Sequence, residues 1–156
     1  MILSRTAIGL TLVLLSLRTA SAQTAASRIV SAANTFLSTL DQKQRQSVLF
    51  AFDDEKQRAR WSNFPVRMTP RAGLSLGEMS VAQRSAAWAL VSSALSRRGF
   101  EKVQQIVEAD ETLKRNEGNN PMFGESLYYI SILGTPSATA PWMLQFGGHH
   151  LALNIT

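Results

Sequence analysis

His149 and His150 are the only histidines in the chain, and they are adjacent. Imidazole is the side chain best suited to act as a general base near neutral pH or as a nitrogen ligand to a metal. Asn154 follows on the same C-terminal stretch and can orient a neighbouring group through its amide. These three are the candidate catalytic residues. His150 is read as base or ligand, Asn154 as an orienting hydrogen-bond partner, and His149 as ligand or packed support. A divalent metal is the cofactor such a pair admits, with His150 and His149 as its ligands. Two imidazoles alone leave a tetrahedral shell short, and the chain has no cysteine to add a thiolate. Upstream, Asp53, Asp54 and Glu55 form an acidic cluster, and Asp53 or Asp54 is the candidate carboxylate of the same site. The alternative for the cluster is a helix start, where negative charge meets the positive end of the dipole. The alternative for His149 is a hydrogen-bonded core histidine at the end of an apolar stripe.

The elements that would position these residues can be read from patterning. Leu127 to Leu133 is rich in Tyr and Ile and lies between Gly124 and Gly134, which reads as a strand. Two further extended runs flank Gly147-Gly148, a hairpin signal. With the turn on those glycines, Phe146 faces His149, Gln145 faces His150, Leu144 faces Leu151 and Trp142 faces Leu153. Side chains alternate along a strand. His149 then falls with Trp142, Leu144, Phe146, Leu151, Leu153 and Ile155, and His150 falls on the opposite face with Met143, Gln145, Ala152 and Asn154. A regular strand of this register keeps the two imidazoles apart.

Residues 24–117 carry helix signals. Ile29, Ala33, Phe36, Leu37 and Leu40 recur at helical spacing. A second short helix is expected to carry Val48 and Leu49, with Asp53 capping a further turn. Residues 61–78 hold Pro65, Pro70, Gly73 and Gly77 and read as loop or extended chain. Ser80 with Gln83 makes a capping box for a helix over Val81 to Arg98. Arg97 and Arg98 suit its negative end, and Gly99 with Phe100 suits the left-handed stop after it. A further helix is expected at about 101–116, with Val103, Ile106, Val107 and Leu113 inward. The fold class is α+β: an N-terminal helical region, then an antiparallel β segment over 121–156 ending in the Gly-Gly hairpin.

Residues 1–22 read as a secretory signal peptide. Arg5 supplies the positive start, Ile8 to Leu17 the short apolar run, and Ala20-Ser21-Ala22 the small residues read at cleavage. Cleavage is expected between Ala22 and Gln23, leaving 23–156 as a single domain or the first half of a larger one. The apolar run is far shorter than the roughly 20 residues a membrane span needs. The expected location is therefore exported, periplasmic or extracellular. Of the net charge of +5, Arg5 and Arg18 belong to this leader. The other basic residues are scattered among acids and make no stripe with aromatics, so no nucleic-acid partner is expected. No nucleophile elbow, phosphate-cradling loop or zinc-protease helix motif is present. Arg67 and Arg71 could grip a carboxylate or phosphate, and Trp61 beside Asn63 could line a carbohydrate cleft.

Several strings carry a resemblance. They are Phe52-Asp53-Asp54-Glu55, Trp61 with Phe64-Pro65, Arg71-Ala72-Gly73-Leu74, Gln83-Arg84, and Arg98-Gly99-Phe100-Glu101-Lys102. Tyr128-Tyr129, Gly134-Thr135-Pro136-Ser137 and Pro141-Trp142 follow, with Phe146-Gly147-Gly148-His149-His150-Leu151-Ala152-Leu153-Asn154 the most specific. Over about 50–156 the chain resembles the exported bacterial proteins of domain-of-unknown-function family 3500. The resemblance implies an exported protein of no established activity. It also implies a longer partner half with a further acidic, Asn- and His-rich stretch, so that this chain is expected to be an incomplete domain. Where Gly147 stands, the family pattern often has a charged residue. Two functional readings follow. One is the N-terminal half of a hydrolase-like or metal-assisted enzyme. The other is a noncatalytic envelope module that binds a small-molecule or envelope ligand or serves as structure.

Overall fold

The computed structural model describes residues 24–156. The expected leader and the cleavage point at Ala22 and Gln23 lie outside the described residues. Helix α1 (Thr24–Ser38) realises the first apolar stripe, burying Ala33, Phe36 and Leu37, with Leu40 buried just beyond it. Asp41 and Gln44 cap α2 (Gln42–Val48) reciprocally, and the chain runs directly into β1 (Leu49–Phe50). Leu49 is thus a strand residue, not a helical one, while Val48 is buried at the helix end. Asp54, rather than Asp53, caps the short helix α3 (Glu55–Arg58). A long loop leads to β2 (Leu74–Ser75) and a single 3-10 turn, Leu76–Glu78.

The capping box at Ser80 and Gln83 opens α4 (Val81–Ser93), but this helix ends five residues before Arg98. Ser96 accepts a hydrogen bond from the Gly99 backbone N–H at 3.1 Å and starts α5 (Arg97–Asn116). Arg97 and Arg98 therefore stand in the first turn of a helix, not the last, and Gly99 is an ordinary helical residue. The competing signal was the serine: its hydroxyl satisfies an otherwise unpaired N–H, which terminates one helix and begins the next. Arg97 pairs instead with Glu101 one turn on, at 3.0 Å.

After a second 3-10 turn (Glu125–Leu127), the chain forms β3 (Tyr129–Leu133), β4 (Met143–Gly148) and β5 (Leu151–Ile155). The sheet order is β1-β3-β4-β5, with β2 also pairing β3. The three long strands pair antiparallel to one another in succession, whereas β1 runs parallel to β3. The fold class is α+β, with the sheet mixed because two short strands from the helical region join it.

The hairpin register differs from expectation. Gly148 pairs with Leu151, Phe146 with Leu153 and Gln145 with Asn154, so the two-residue turn is His149-His150 and the glycines are in the strand. The displacement is an even number of residues, so Leu151, Leu153 and Ile155 stay on the face expected for them. Gly148 is a glycine for space, since a Cβ there would lie 2.9 Å from the Tyr128 ring and 3.0 Å from the Leu127 carbonyl.

The two faces of the sheet differ in chemistry. Ile130, Ile132, Leu144 and Phe146 are buried with the helices in one core. Trp88 of α4 packs on both Phe100 and Phe146, with ring centroids 5.9 and 5.3 Å away. The other face carries Ser131 and Gln145, buried beneath Gln57 of α3.

Candidate functional site

Asp110 lies on the buried stripe of α5, in line with Val103 and Val107 at helical spacing. A carboxylate there must be hydrogen-bonded to be tolerated. It accepts from the Gly124 N–H at 2.9 Å and from Nδ1 of His149 at 2.6 Å. Only 5% of its side chain and 11% of that of His149 are exposed. Gly124 has φ of +119°, and a Cβ there would fall 2.6 Å from Glu111 Oε2, so glycine alone brings its N–H to Asp110. Glu111 accepts from the Glu125 N–H at 3.0 Å, and the two adjacent acids of α5 together fix the segment entering β3.

The hairpin turn delivers the imidazoles. His150 takes the left-handed conformation, with φ of +57°. Its backbone N–H donates to the Asn63 carbonyl at 3.3 Å, and its Nδ1 lies 2.9 Å from Asn63 Oδ1. The buried Tyr128 hydroxyl donates to the His149 carbonyl at 2.8 Å, and Phe123 packs on the His149 ring. Burial, and then the nearby Asp110 charge, hold Tyr128 well above the ordinary phenol range, so it remains a donor. The two imidazole centroids are 4.0 Å apart. The expectation that the histidines point to opposite faces is corrected here: as turn residues they escape strand alternation, and their rings stack side by side.

Both Nδ1 atoms meet acceptor oxygens, a carboxylate on one ring and an amide carbonyl on the other. Each neutral ring therefore carries its proton at Nδ1 and its lone pair at Nε2. Neither Nε2 has a hydrogen-bond partner among the described residues. The two rings, Asp110, Ile106 and Leu113 line one open cavity of about 250 Å³. A carboxylate behind an imidazole, with the far nitrogen free, is the arrangement of a general base.

The other residues singled out from sequence lie apart from this pair. Asp54 accepts from the Gln57 N–H at 2.8 Å as the cap of α3, and Asp53 is exposed. Neither makes a hydrogen bond or ion pair to a histidine; Asp110 holds that place. Asn154 accepts from Gln145 Nε2 at 2.9 Å on the polar face of the sheet. Among the described residues no group of three His, Cys, Asp or Glu side chains could hold a metal ion. A divalent ion would find two imidazole nitrogens here and need further ligands from elsewhere. Asp110 was missed in the sequence, although its signal was present: it continues the Val103 and Val107 stripe, where an apolar residue would otherwise stand.

Comparison with known proteins gives one match. The family model described as a protein of unknown function, DUF3500, covers residues 22–156. The chain belongs to the DUF3500 family. No curated protein and no solved structure gives a significant match. In this DUF3500 chain no helix among the described residues is long and apolar enough to cross a membrane.

Proposed function

We propose that this chain carries the general base of an exported hydrolytic enzyme, with His149 as the base. The observation that supports it is the 2.6 Å contact between Asp110 and His149, a residue that lines a cavity and whose Nε2 has no partner among the described residues. Asp110 holds the ring in one tautomer and stabilises the imidazolium formed when Nε2 takes a proton from water or a hydroxyl. His150, stacked on the same ring, offers a second nitrogen to the same substrate or to a divalent ion. The alternative of a noncatalytic envelope module would be favoured by imidazoles bonded to backbone; here both Nδ1 atoms meet side chains.

The test is hydrolysis of a panel of chromogenic esters, phosphomonoesters, glycosides and amides, with and without added divalent ions. At least one class should turn over, and His149→Ala should lower that rate by roughly 10²–10⁴-fold. Turnover unaffected by His149→Ala, or no turnover of any class under either condition, would overturn the reading.

A further inference from the structure

Of the five large hydrophobic side chains that stand exposed among the described residues, three fall within one eight-residue stretch. They are Trp61, Phe64 and Met68, at 63%, 61% and 63% exposure. Single exposed apolar residues are ordinary, but several gathered on one loop mark a surface that meets something. The indole does not close over a ligand cleft. The cavity it borders, between Gln57, Gln145 and Asn154, holds about 30 Å³, room for one water and too little for a sugar ring.

The loop is held rather than slack. Arg71 donates to the carbonyls of Ser62, Phe64 and Thr69 within it, and of Gly148 beside the hairpin turn. The Met68 and Thr69 N–H groups both donate to the Pro65 carbonyl, at 2.9 and 3.1 Å. Pro65 and Val66 are buried, so the turn is anchored from beneath while Phe64 and Met68 remain in solvent. A loop already fixed in this way loses little conformational freedom when it docks.

The charge around the loop has one sign. From Lys56 to Gly77 there are five basic residues, Lys56, Arg58, Arg60, Arg67 and Arg71, and no acid. Arg58 and Arg71 are engaged with backbone carbonyls. Lys56, Arg60 and Arg67 make no ion pair among the described residues. Arg67 spends only its Nε, on the Pro121 carbonyl at 2.9 Å, which leaves its Nη groups for an anion. The nearest acids in sequence, Asp53 to Glu55, lie at the start of α3, where Asp54 serves as the cap. A second copy seated on this patch about a twofold axis would set like charges against each other. An anionic lipid surface matches both features. Indole rings settle at the headgroup level, Phe and Met reach the acyl boundary, and basic side chains meet lipid phosphates.

We propose that the loop 61–68 docks this protein peripherally on an anionic lipid surface. Phe64 and Met68 enter the acyl boundary, Trp61 lies among the headgroups, and Lys56, Arg60 and Arg67 face the phosphates. The contact does not depend on the histidine pair. Co-sedimentation with vesicles of phosphatidylcholine, and of phosphatidylcholine mixed with phosphatidylglycerol, tests it. Both the full chain and its form beginning at Gln23 are used, so that binding through the apolar run of residues 8–17 is told apart. Both forms should bind the anionic vesicles at least about tenfold more tightly than the neutral ones, and added salt should weaken that binding. Phe64→Ser combined with Met68→Ser should weaken it by about tenfold or more, and Arg67→Gln by about fivefold. These side chains are exposed, so the urea midpoints of the variants should match the parent, and His149→Ala should bind vesicles as the parent does. The proposal fails if the form beginning at Gln23 does not bind, if neutral vesicles bind as tightly, or if the Phe64 and Met68 double variant keeps full affinity. It fails equally if sedimentation velocity shows self-association that the double variant abolishes and vesicles are not bound, since the patch would then be an interface between copies.

Discussion

Asp110 Oδ1 and His149 Nδ1 are 2.6 Å apart although 39 residues separate them in sequence. The contact joins the long helix α5 to the hairpin turn. Both side chains are largely buried, so the bond is charge-assisted and sheltered from solvent.

Asp110→Asn keeps the shape and loses the charge. It should lower unfolding free energy by about 1–3 kcal/mol, read from urea denaturation. It should also reduce any His149-dependent turnover by about tenfold or more, because the ring loses its preferred tautomer and its counter-charge. A variant as stable and as active as the parent would remove Asp110 from both roles.

Tyr128 gives a pH dependence with a definite sign. The folded protein holds this phenol above its ordinary value of 10.0, through burial first and Asp110 second. Above about pH 10 the unfolded chain releases a proton that the native state retains. Stability from this group is therefore complete below pH 10 and is lost as pH rises through the folded value. Urea midpoints measured from pH 8 upward should fall above pH 10. Tyr128→Phe should make that fall shallower while costing about 0.5–1.5 kcal/mol at pH 8. Tyr129, also raised by burial and then by Glu78, keeps some slope in the variant.

His150 separates turn geometry from chemistry. Its φ of +57° is strained for a branched side chain and free for glycine. His150→Gly should stay within about 1 kcal/mol of the parent, relief of strain offsetting the lost bond to Asn63. His150→Val should be less stable than His150→Gly by about 1–2 kcal/mol. Equal stability of the two variants would mean that the turn does not need the left-handed residue.

Export is checked at the N-terminus. Expression of the full chain in a host with a general secretory pathway should yield protein outside the cytoplasm that begins at Gln23. Intact mass and N-terminal sequencing read this directly. A cytoplasmic product retaining Met1 would refute the leader.

Much of the helical architecture was legible because its signals are local. The stripe from Ile29 to Leu40 and the box between Ser80 and Gln83 each specify their element within a few turns. The helix break at Ser96 was local too, but Gly99 offered an equally local rival reading. The hairpin was misread for a different reason. An even slip preserves the alternation of apolar and polar residues, so periodicity cannot choose between a turn at Gly147-Gly148 and one at His149-His150. The choice is made by Tyr128, whose ring lies where a Cβ on Gly148 would fall and whose hydroxyl holds the His149 carbonyl. The partner of His149 was hidden for the same reason: nothing near the turn in sequence points to α5.

Arg71 binds the carbonyls of Ser62, Phe64 and Thr69 in one loop and of Gly148 beside the hairpin turn. That loop extends Trp61 over one cavity and Asn63 to the imidazoles of the other. One cation thus ties together the loop that serves both cavities. A change at Arg71 loosens both edges at once, whereas a change at a residue lining only one cavity leaves the other in place.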